Sequence, residues 1–283
     1  MPVGDLATLL FRLRAWSDGA PVALGVDFPI GLPRDYAARH AGGAADFPAF
    51  LRGLADRPDF FRVCGALDQV SAARPFYPMR GVRGMTRLSH ALALGLDAAA
   101  GLSRACDRAT ADRPAGAPLF WTLGANQTGK AAITAWRDLL LPALVDPVRA
   151  GSPSLALWPF DGALLPLLAA AQRGGIVVAE TYPAEAMRQL GLRMGGSKRR
   201  HADRLALAPA LRDRMAGLQV RSAPALDAWL AAGFGADAAG EDRLDCMLGL
   251  LCLVQVLIGR RADTMPDDPW VQRWEGWVLG QAS

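Results

Sequence analysis

Two short apolar runs each end in an acid followed at once by a turn and a proline. Pro21-Val-Ala-Leu-Gly-Val26 leads into Asp27-Phe28-Pro29, and Gly175-Ile-Val-Val-Ala179 leads into Glu180-Thr181-Tyr182-Pro183. Runs this short and this rich in β-branched residues read as buried strands, and proline stops them. Because helical patterns lie between them, the chain is expected to form an α/β sheet with helices on its faces. In such sheets ligands bind at the carboxyl ends of the strands, which is where Asp27 and Glu180 fall. Two more acids, Asp242 and Asp245, open the apolar run 246–259. Three residues apart on a helix, they face the same side.

Carboxylates gathered at one sheet edge repel each other unless they are protonated or bridged by a divalent cation. Asp27, Glu180, Asp242 and Asp245 are therefore the candidate catalytic and metal-holding residues, with magnesium or manganese as the cofactor. The matching chemistry is phosphodiester hydrolysis by two metals about 3.5–4 Å apart. On this reading, Glu180→Ala removes metal binding with little loss of fold. Each acid also has a plainer use: Asp242 and Asp245 suit a helix N-terminus, Asp27 could bind the turn after it, and Glu180 could pair with a cation.

The spacing predicts helices over 5–16, 131–144, 184–190, 203–215, 223–232 and 241–260, and strands over 22–26, 154–158 and 176–179. Residues 35–118 read as a helical and loop insertion carrying a basic, aromatic arm, within a single domain spanning 1–283. A hydrophobic content of 52% and a mean hydropathy of +0.15 suffice for a large core. The longest apolar run is shorter than the ~20 residues that span a bilayer. The four cysteines show no C-x-x-C spacing, and a cytoplasmic, membrane-free protein is expected.

The chain is basic, with a formal charge of +4, and only Lys130 and Lys198 among its 31 basic residues are lysine. Arginine suits bidentate phosphate contacts, although such a bias also arises from codon usage, so only clusters carry weight. Arg80 and Arg83, in the stretch 74–87, and Lys198 and Arg199, in Gly195-Gly-Ser-Lys-Arg-Arg-His201, are the candidate phosphate contacts to a nucleic acid or nucleotide. A non-catalytic nucleic-acid or nucleotide-binding module is the alternative. Gly124-x-x-x-x-Gly129-Lys130 matches most of a phosphate-binding loop, but Ala131 stands where that loop needs Ser or Thr for magnesium, so an ATP-dependent phosphotransferase ranks third. His40, His90 and His201 lack metal-ligand spacing, and no G-x-S-x-G elbow is present.

Gly25-Val-Asp27-Phe-Pro29-Ile-Gly31-Leu-Pro33, Glu180-Thr-Tyr182-Pro183 and Glu241-Asp242-x-x-Asp245 together resemble domain of unknown function family 429, regarded as predicted nucleases of the ribonuclease H-like superfamily. The resemblance spans about residues 5–260. It implies a mixed sheet flanked by helices and a magnesium- or manganese-dependent site at the same four acids. It also implies an opening three-stranded β-meander whose first strand carries a further aspartate. Residues 1–26 have room for one helix and one strand only. The meander either lies upstream of Met1 or is missing, which would weaken the metal site and leave an exposed sheet edge open to a homodimer contact.

Overall fold

In the computed structural model, which describes residues 4–81, 83–111, 113–124, 128–147, 154–171 and 173–282, the two acid-terminated runs are neighbouring strands. Strands β1 (Val22–Val26), β2 (Leu155–Leu157) and β3 (Ile176–Glu180) form one sheet in the order β1-β3-β2, and all three run parallel. The sheet among the described residues is thus wholly parallel where a mixed one was expected. Its central strand, β3, is buried throughout and reads Ile-Val-Val-Ala-Glu, the unbroken apolar run of a strand covered on both faces.

Eleven α-helices among the described residues accompany the sheet: α1 (Leu9–Trp16), α2 (Arg34–His40), α3 (Phe47–Arg52), α4 (Arg87–Ala93), α5 (Thr128–Ala135), α6 (Leu141–Val145), α7 (Leu164–Ala170), α8 (Pro183–Gln189), α9 (His201–Gly217), α10 (Pro224–Ala231) and α11 (Gly240–Leu257). Asp5 accepts the amide of Ala7 and opens the turn that leads into α1. Between α5 and α6 the chain widens into one π turn, Trp136–Leu140, immediately before Pro142, which has no amide to give the helical ladder. The run 119–123 is irregular, with a single bridge between Tyr77 and Trp121. No described helix is long and apolar enough to cross a membrane.

Alternation along the strands separates two packed layers. Leu24, Val26, Ile176 and Val178 join the core that contains Leu10, Tyr36 and Trp136. Val177 and Ala179 face the other way, against Leu253 and Val256 of α11 and the C-terminal Trp277. Within the segment 35–118, Phe47, Phe60 and Phe76 are fully buried in the same core as the sheet. The rings of Phe76 and Phe120 lie 5.3 Å apart. A separate apolar cluster ties α8, α9 and α10 to α11 through Ala186, Leu211, Leu230 and Leu248.

The turn behind Asp27 is held from three directions. Trp136 donates its indole N–H to the Pro29 carbonyl at 2.7 Å, Leu32 donates its amide to Trp274 O at 2.6 Å, and Arg34 donates its amide to Glu275 at 3.1 Å. Between them Gly31 has φ +144°, and a Cβ there would run into the backbone carbonyl of Glu275. Both facts require glycine. Gly31→Ala is expected to cost about 3 kcal/mol or more in urea denaturation, since neither the dihedral nor the backbone contact can relax cheaply.

Candidate active cleft

Val26 lies opposite Glu180 in the β1–β3 register, so their side chains share a face of the sheet. Asp27, one residue further on, turns to the opposite face, beneath the first turns of α11. Strand parity thus sends the two carboxyls to opposite faces of the sheet, although beyond the strand ends both line one cavity with Arg104 and Tyr182, where the charge of Glu180 adds to the upward push on Asp27.

Glu180 is 5% exposed and fully engaged. Arg104 donates to it through Nη1 at 2.7 Å and Nη2 at 2.6 Å, and the Ile30 amide donates at 2.7 Å. Arg104, itself 1% exposed, also holds Asp107 at 2.8 Å and the Glu275 carbonyl at 3.3 Å. Burial pushes the Glu180 carboxyl up, while the guanidinium and the Ile30 amide pull against it. A carboxylate clamped in this way is a packing anchor for the turn after β1. The plainer use of Glu180, pairing with a cation, is the one observed.

The other three acids come together. Asp27, Asp242 and Asp245 line one groove of about 350 Å³ beside β1 and α11, with Thr181 and Cys246 in its wall. Asp27 also lines a smaller cavity on its other side, with Glu180, Arg104, Tyr182 and Thr128. Lys198 reaches into the cluster and bonds both oxygens of Asp245 at 2.7 Å, with Glu241 3.9 Å away. Arg199 stands 3.6 Å from Glu241. Two of the four basic residues expected to grip phosphate, Lys198 and Arg199, are therefore ion-paired with the acids at the start of α11. Arg80 and Arg83 are exposed and line neither cavity.

Electrostatics single out Asp27. Its carboxyl is pushed from 3.8 up to about 7, first by the packed protein around it and then by the negative charge of Asp245, against the pull of Lys198. By its accessible surface Asp27 is an exposed residue, so water in the groove tempers this upward push. Burial likewise raises Asp245, with Lys198 opposing. Tyr182 is raised by burial and by Asp27 beside it.

Among the described residues, no three His, Cys, Asp or Glu side chains converge closely enough to hold a metal ion. Glu180 is spent on Arg104, and Asp245 on Lys198. The residues as arranged do not fit a divalent ion. In the Gly124–Lys130 stretch, residues 125–127 lie outside the described residues. Gly129 gives its amide to Trp121 O at 3.1 Å rather than to an open cradle, and Lys130 is exposed. His40, His90 and His201 each bond a backbone carbonyl. Sequence reasoning missed Arg104 and Asp107, which sit in an irregular stretch with no motif. Tyr182 stands inside a quoted motif, but its place beside Asp27 depends on tertiary packing.

No family model, curated protein or solved structure matches the chain.

Two stability measurements test this arrangement. The folded state holds a proton on Asp27 that the unfolded chain has already lost between about pH 4 and pH 7, so stability falls as pH rises through that window. Asp27→Asn is expected to raise stability by about 1–2 kcal/mol at pH 8, the full shift being reduced by water in the groove, and to change nothing at pH 4. Glu180→Ala is expected to cost about 3–5 kcal/mol, because it strands the buried Arg104 guanidinium. This reverses the sequence expectation that the fold would hardly notice.

Proposed function

We propose that the chain is a ribonuclease H-like hydrolase of phosphodiester bonds, with Asp27 as its proton-accepting group. The observation that carries this reading is the placement of Asp27 at the carboxyl end of a parallel strand, in a groove where Lys198 pairs with the lining Asp245 and where the packed surroundings and neighbouring acids push the Asp27 carboxyl up to about 7. A general base works best when its pKa lies near the working pH. Support also comes from the order of the three motifs around Asp27, Glu180 and Asp242-x-x-Asp245, which resembles that of family 429.

Asp27 would take the proton of a water molecule attacking phosphorus, the bond from phosphorus to the leaving ester oxygen would break, and that oxygen would take up a proton from water while Asp27 returns its own to solvent. Lys198, turning from Asp245 toward the phosphate, would offset the charge that builds on its oxygens. Asp245 holds that ammonium in place before substrate arrives. Arg199, at the rim, would meet a neighbouring phosphate of a nucleic acid. In this cleft only Asp27 and Asp242 lack an ion pair among the described residues, fewer than a two-metal site needs. The proposed chemistry therefore rests on Asp27 and Lys198.

The test is cleavage of labelled single- and double-stranded oligonucleotides and of bis(p-nitrophenyl) phosphate, in EDTA and with added manganese. Expected is turnover in EDTA, with kcat/KM rising through about pH 7 and falling roughly 10²–10⁴-fold in Asp27→Asn. Turnover only with manganese would keep the substrate class and overturn the metal-free role of Asp27. Salt-sensitive binding without cleavage under either condition would instead favour a non-catalytic nucleic-acid-binding module.

A further inference from the structure

β1 has β3 on one side and no strand on the other among the described residues. Its ladder to β3 uses alternate residues, with Val22 donating to Gly175 O and Val26 O accepting from Thr181, so the backbone polar groups of Ala23 and Gly25 face the open side. Such an edge is a template for another strand. Above it, α11 lies over the gap between β1 and β3, with Leu253 against Gly25 and Gly249 against Thr181. Cys246, Leu250 and Leu257, which share one side of α11, are exposed, Leu250 by 48%.

We propose that a second copy of this chain covers this surface, with β1 pairing antiparallel to β1 and α11 lying antiparallel against α11. Strands about 4.8 Å apart at the edge bring two helices, each set back over its own β1–β3 gap, to about 10 Å, the normal packing distance. The charges select the same arrangement. Glu241 and Asp242 open α11, and Arg260 follows its end as an exposed residue. Antiparallel helices set Asp242 of each copy against Arg260 of the other, and residue 251, midway between them, adjoins Leu250 at the centre of the apolar stripe. The surface is self-complementary, as a two-fold interface requires. Pairing covers the groove lined by Gly25, Asp27, Asp242, Asp245 and Leu250 and leaves Asp27 open only to the cavity beside Tyr182, so the dimer is the closed form of the cleft proposed above and the monomer the form that admits substrate.

Sedimentation velocity on the full chain tests this, with circular dichroism as the check on folding. The wild type is expected to be dimeric. Asp242→Arg and Arg260→Asp are each expected to weaken the dimer at least tenfold by setting like charges together, and the double variant to restore it. Leu250→Glu is expected to be monomeric. A monomeric wild type, a dimer indifferent to Leu250→Glu, or no rescue in the folded double variant would each overturn the proposal. Rescue by charge exchange does not depend on catalysis, so failure of the nuclease reading leaves this result intact.

Discussion

The pairing of Val26 with Glu180 across two parallel strands fixes nearly everything at this sheet edge. A shift of one residue would exchange the faces of Asp27 and Glu180. In the observed register Glu180 goes to the core that holds Arg104, where it closes a buried ion pair and receives the Ile30 amide. Asp27 goes to the opposite face, under the acidic start of α11. Gly31 and Trp136 then fix the turn that follows Asp27, so the carboxyl stands on a rigid base even though it touches water.

The cleft is built from charges that are only partly matched. Arg104 is shared between Glu180 and Asp107, and Lys198 pairs with Asp245. Asp27 remains in their field without an ion pair among the described residues, and proton uptake relieves it. The packed surroundings first, and that imbalance second, push the Asp27 carboxyl up to about 7. A group that exchanges protons near neutral pH, beside a lysine with a movable stem, is suited to acid–base work on an anionic ester.

The strands and most helices were legible from periodicity. The runs at 22–26 and 176–179 are short and β-branched, and the apolar pattern from 241 onward is helical in both readings. Asp27, Asp242 and Asp245 were also legible as a group, because two lie in one helix turn and the third ends a strand. Glu180 misled because its partner, Arg104, lies 76 residues away in an irregular stretch, and sequence spacing carries no information on which face a register selects. The segment 35–118 was hard to read for a related reason. Its short helices and single turns show no period, yet Phe47, Phe60 and Phe76 complete the main core. Arg80 and Arg83 looked like part of the site through composition alone.

The most direct measurement is a ¹³C NMR titration of the Asp27 side-chain carboxyl, assigned by comparison with Asp27→Asn. The account predicts a midpoint near pH 7, set by the packed surroundings and the charge of Asp245. A midpoint near 4, where an ordinary aspartate titrates, would contradict it and remove the basis for assigning Asp27 a catalytic proton.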